Sequence, residues 1–88
     1  MYRYKISKHL EKIINKLSKK DVNLYNSLLN KIKEVINSSD IDHYKNLRYE
    51  LKEYKRVHVG SFVLIFRYDK ENNNILFQDF DHHDNIYL

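Results

Sequence analysis

Arg56 and His58 stand two positions apart in the run Arg56-Val-His58-Val-Gly60-Ser-Phe62-Val-Leu-Ile-Phe66, and His83 and Tyr87 follow near the end of the chain. An imidazole can take up a proton or deliver one near neutral pH. A guanidinium can stabilise charge growing on a phosphate. A tyrosine ring can stack on a base or hold a phosphate. These are the groups that metal-free cleavage of RNA needs. Each also has a plainer use, the histidines as surface polar groups and Tyr87 as an aromatic pinning the tail to the core. His82, beside His83, is a further candidate. On a continuing strand the two alternate faces, so only one of them should share a side with His58. The run Asp81-His-His-Asp84 contains metal-ligand residue types. Adjacent residues rarely converge on one ion, and no HxH or HxxxH spacing accompanies them, so no metal site is expected.

Lys45, Arg48, Lys52, Lys55 and Arg56 form a basic segment with Tyr44, Tyr49 and Tyr54 interleaved, and Arg67 follows on the next apolar run. Basic and aromatic side chains together suit RNA, although Glu50 and Glu53 dilute the charge. The whole chain carries 16 Lys+Arg against 12 Asp+Glu, a net charge of +4, which favours an acidic partner without choosing between nucleic acid and protein. Its 88 residues suffice for one domain, spanning 1–88, and the absence of cysteine leaves a small core without disulfide bracing. The N-terminus lacks the apolar run of a signal peptide, and no run is long enough to span a membrane. A soluble, cytoplasmic protein with no cofactor is expected.

Strands and helices must bring these groups together. Tyr2 to Ile6 alternates apolar and basic residues, as a short strand does. Ser7 can cap a helix carrying Leu10, Ile13, Ile14 and Leu17 over residues of about 8 to 18. Asp21 can cap a second, longer helix with Val22, Tyr25, Leu28, Leu29, Ile32, Val35 and Ile36 on one stripe. The short polar connection predicts an antiparallel pair. Residues 40–53 show no period and are expected to be a loop with extended pieces. From Tyr54 the period becomes two, and Gly60-Ser61 predicts a two-residue II′ hairpin turn. That turn pairs Val59 with Phe62 and Val57 with Leu64. Val57, Val59, Phe62, Leu64 and Phe66 then face the helices, and Arg56, His58, Val63, Ile65 and Arg67 face away. A polar turn at Asp69–Asn74 leads to a last strand from Ile75 to about Asp81. The expected fold is α+β, with an N-terminal strand, a helix pair and three antiparallel strands that leave one concave face open.

This order of elements, the hairpin Tyr54-Lys-Arg-Val-His58-Val-Gly60-Ser-Phe62-Val-Leu-Ile-Phe66 and the ending His83-Asp-Asn-Ile86-Tyr87 resemble the RelE/ParE superfamily of toxins from type II toxin–antitoxin systems. The resemblance covers nearly the full length. Many RelE-type nucleases have an arginine where Val63 stands and another where His83 stands. The chain is closer to the histidine-based branch typified by YafQ, in which His43 corresponds loosely to a further histidine. A carboxylate of that branch near the hairpin turn is replaced here by Ser61.

The resemblance implies an endoribonuclease that cuts mRNA in the ribosomal A site and a small acidic antitoxin that neutralises it. In these terms His83 is the general acid, His58 the base, Arg56 the transition-state stabiliser and Tyr87 the substrate-orienting ring. Lys45, Arg48, Lys52, Lys55 and Arg67 contact RNA, and His43 and His82 are additional candidates. Two alternatives stay open. One is a non-enzymatic toxin that binds DNA gyrase, mildly favoured by Val63 and disfavoured by the clustered histidines. The other is an inactive toxin that keeps only antitoxin binding.

Overall fold

The structure, a computed structural model, describes residues 2–48 and 52–86. Strand β1 (Arg3–Ile6) runs into Ser7, whose Oγ accepts from the Leu10 N–H and donates to the Gln78 carbonyl at 2.7 Å. One hydroxyl thus caps helix α1 (Lys8–Lys20) and pins its start to strand β4 (Asn74–His82). Asp21 alone joins α1 to helix α2 (Val22–Ile36). Its N–H closes α1 on the Leu17 carbonyl, and its carboxylate accepts from Leu24 N–H. The first helix therefore runs two residues beyond the expected end at 18, because the cap of the second helix also terminates the first.

Beyond α2, Asp40 caps a single 3-10 turn (Ile41–His43), and the chain then lies along the edge of strand β2 (Tyr54–Val59). Arg56 N–H donates to the Lys45 carbonyl, and Leu47 N–H donates to the Tyr54 carbonyl. The extended piece expected in the loop is this edge. Strand β3 (Phe62–Asp69) pairs with β2 in the predicted register, Val59 with Phe62 and Val57 with Leu64. Gly60 has φ +61, and Ser61 is not among the positive-φ residues, which is the II′ pattern.

The sheet has four strands in the order β1-β4-β3-β2. The N-terminal strand joins it parallel to β4, Ile6 opposite Phe77, so the sheet is mixed rather than a three-stranded antiparallel unit beside a separate strand. Both helices cover one face. Leu10, Leu28, Ile32, Val35 and Ile36 pack there with Val59, Leu64, Phe66, Ile75, Phe77 and Phe80. Phe77 and Phe80 are three apart, so a regular strand would send them to opposite faces. The β3–β4 pairing jumps between Ile65–Asp79 and Phe66–Phe77, leaving Gln78 as an extra residue. That bulge turns both phenylalanines inward.

The other face is less open than expected. Val63 and Ile65 do point away from the helices, but both are buried, in a second cluster with Leu47 that Tyr54 and Ile86 close. The edge segment supplies Leu47, and the one-turn helix α3 (His83–Ile86) supplies Ile86. Side-chain parity was right. Two short segments folded over that face make the difference.

Candidate active site

The hairpin end of the sheet gathers the predicted residues. Arg56 and His58 are on the same side of β2, with Arg56 Nη1 3.4 Å from His58 Nε2. A guanidinium only donates, so this contact uses the lone pair of His58 Nε2, the form that can take a proton. His58 pairs with Val63, and Val63 pairs with Asp81. Two strand spacings place the end of β4 about 10 Å from His58.

At that end the chain turns sharply. His82 still belongs to the strand, opposite Phe62, with its ring edge-on to the Phe62 ring at 5.6 Å. His83 already begins α3, and its N–H donates to the Ser61 carbonyl at 2.9 Å. The Asp81 carboxylate holds the corner by accepting from the His82 N–H and from Asn85 Nδ2. Asp84 Oδ1 lies 2.8 Å from His83 Nδ1. A ring held at Nδ1 by a carboxylate has a fixed orientation and keeps Nε2 for a substrate proton. Asp84 was a candidate metal ligand in the sequence. Its place as the orienting partner of His83 becomes visible only in the structure.

A cavity of about 290 Å³ opens on the same sheet face, lined by Leu47, Tyr54, Ile65, Gln78, Asp79, Asn85 and Ile86. Its floor is the second apolar cluster, and its rim is amide and carboxylate. Gln78 reaches it through the bulge, and neither Gln78 nor Asn85 was singled out in the sequence. The signal was the three-residue spacing of Phe77 and Phe80. Asp79 is also held by His9, whose Nε2 is 2.9 Å from its Oδ1.

The basic residues divide. Lys45, Arg48 and Lys52 are exposed. Arg67 is exposed at the far end of β3, 3.8 Å from Glu53 and 6.0 Å above the Tyr54 ring, four strand positions or about 14 Å from the level of His58. Lys55 is a correction to the RNA-facing set. It is 7% exposed, and its ammonium donates to the Tyr44 carbonyl and to Asn46 Oδ1. Strand parity turns it toward the helices, where it fastens the edge segment. Lys55→Ala should therefore cost stability, about 1–3 kcal/mol for carbonyl and amide acceptors left unpaired. Lys52→Ala should stay within ~0.5 kcal/mol. Urea denaturation of both variants checks this, and equal midpoints would refute the assignment.

His43 lies in the 3-10 turn, where its Nδ1 contacts the Asp40 carbonyl and its ring packs on Tyr44. Burial pushes the Tyr44 hydroxyl pKa up, with the Glu34 charge adding to it. Tyr87 lies outside the described residues. Val63 is fully buried, so this chain has an apolar floor where many RelE-type nucleases have arginine.

The family model described as "ParE toxin of type II toxin-antitoxin system, parDE" matches residues 2–87. A candidate RelE-type toxin of Methanocaldococcus jannaschii, RelE4, is 48% identical over 99% of this chain and 92% of its own length. The crystal structure of YafQ from E. coli strain BL21(DE3) superposes with a TM-score of 0.74 at 17% identity, covering all of both chains. A metal-bound toxin from Helicobacter pylori superposes with a TM-score of 0.76 at 20% identity, over 99% of this chain and 100% of that one. At such identities the superpositions show a shared fold.

Proposed function

The chain belongs to the ParE toxin family within the RelE/ParE superfamily and is a toxin of a type II toxin–antitoxin system; from that premise we propose that it is a metal-independent mRNA interferase acting on the ribosome. The observation that carries this reading is the pair of oriented histidines at one end of the sheet, His58 beside Arg56 and His83 on Asp84. His58 Nε2 takes the proton of a ribose 2′-OH. The 2′-oxygen attacks the adjacent phosphorus, and the bond to the 5′-oxygen breaks. His83 gives that oxygen its proton, and a 2′,3′-cyclic phosphate remains. Arg56 leaves His58 for the phosphate and stabilises its charge in the transition state. Tyr87 orients a base, and Lys45, Arg48, Lys52 and Arg67 meet phosphates.

The antitoxin of such a system is expected to be a short acidic chain, complementary to the net charge of +4. No helix among the described residues is long and apolar enough to cross a membrane, which accords with a cytoplasmic site of action. Primer extension on mRNA recovered with translating ribosomes tests the reading, and new 5′ ends are expected only when the toxin is induced. The ParE description of the matching model favours one second reading, a non-catalytic toxin that binds gyrase. Arrest of DNA synthesis ahead of protein synthesis, with no new mRNA ends, would replace the nuclease by that reading.

A further inference from the structure

We propose that His82, His83 and Asp84 form a binding site for a divalent transition metal of the zinc type, and that its occupation switches the nuclease off. The inhibitory half rests on the assignment of His83 as the acid; the site itself does not.

Adjacent histidines on a continuing strand point to opposite faces and cannot share an ion. Here β4 ends at His82 and α3 begins at His83, and the corner between them swings the rings together, 5.0 Å apart at 78°. The Asp84 carboxylate lies between them, Oδ1 2.8 Å from His83 Nδ1 and Oδ2 3.5 Å from His82 Nδ1. One nitrogen from each ring and one carboxylate oxygen lie within 4.8 Å of one another. Bonds of ~2.0–2.2 Å in a tetrahedron place ligand atoms roughly 3.3 Å apart. Exposed His83 and Asp84 can close the remaining gap by rotating their side chains. Two imidazoles and one carboxylate suit zinc, copper or nickel rather than magnesium or calcium. The corner itself is braced by Asp81, which accepts from the His82 N–H and from Asn85.

The consequence for cleavage follows from the lone pair. An imidazole that coordinates a metal through either nitrogen cannot cycle between its neutral and protonated forms. A metal here competes for the ring that must donate a proton, and it displaces the carboxylate that orients that ring.

The test titrates metal-free toxin with zinc chloride while the histidine ring protons are followed by NMR and the heat of binding by calorimetry. One zinc per chain is expected, with the His82 and His83 signals moving, those of His9 and His43 unmoved, and magnesium without effect. RNA cleavage should fall as the site fills and return with EDTA. His82→Phe keeps a ring against Phe62 and removes a ligand. It should cleave like the parent without metal, bind zinc at least ~10-fold more weakly and keep cleaving at zinc concentrations that silence the parent. Asp84→Asn supplies a second loss of affinity, read by calorimetry alone. No saturable binding, ring shifts confined to other histidines, or equal inhibition of His82→Phe would overturn the proposal. Zinc bound at His82 and His83 in a protein that never cleaves RNA would uphold the site and refute the nuclease.

Discussion

His83→Ala lowers RNA cleavage by ~10²–10⁴-fold, the usual contribution of a positioned acid or base, and leaves the protein folded and bound by its antitoxin. The effect is large because the 5′-oxygen would otherwise depart as an alkoxide. The fold survives because the His83 side chain is exposed and belongs to neither apolar cluster. Its one structural tie is a backbone N–H to the Ser61 carbonyl, which alanine keeps. His58→Ala should fall less far, since Arg56 stays on β2 to hold the phosphate. Growth after induction at equal protein level gives the first readout, and primer extension gives the second. Full toxicity of both variants would end the histidine mechanism and leave gyrase binding as the better account. Restoring the arginine of other nucleases at Val63 is not the mirror experiment. That side chain is fully buried, and an arginine there would open the second apolar cluster.

The hairpin was legible in the sequence because one glycine at φ +61 fixes the turn, and the turn fixes the facing of every residue from Arg56 to Phe66. Both helices were legible through Ser7, Asp21 and the apolar stripes they introduce. Three features were not, and each depends on contacts far apart in the chain. The parallel pairing of β1 with β4 joins residues about seventy positions apart, which no local period records. The bulge at Gln78 breaks the period on which strand reading relies. The burial of Lys55 is set by the edge segment docking on β2, so a residue within a basic run became a fastener for Tyr44 and Asn46. At the site, the shared side of Arg56 and His58 followed from parity. The meeting of His82 with His83 did not, because it arises where the strand stops.

Phe66→Ala should bring the protein close to unfolding. Phe66 is fully buried at the centre of β3, 5.9 Å from the Phe77 ring and 5.5 Å from Tyr44, which meets it edge-on. Removing a buried phenylalanine costs ~3–5 kcal/mol, against a total stability of ~5–15 kcal/mol for a domain. With 88 residues and no cysteine, the chain stands at the lower end of that range. The damage should also reach the site. Tyr44 rests on Phe66, its carbonyl holds Lys55, and the same segment continues through Lys45, which accepts from Arg56 N–H, to Leu47 beneath the cavity. A cavity under Tyr44 therefore loosens the strand edge that carries Arg56. Phe66→Leu, which refills most of the volume, should recover most of the stability. Urea denaturation followed by circular dichroism compares the three proteins. A loss below ~1 kcal/mol for Phe66→Ala would mean that the core does not centre on this ring.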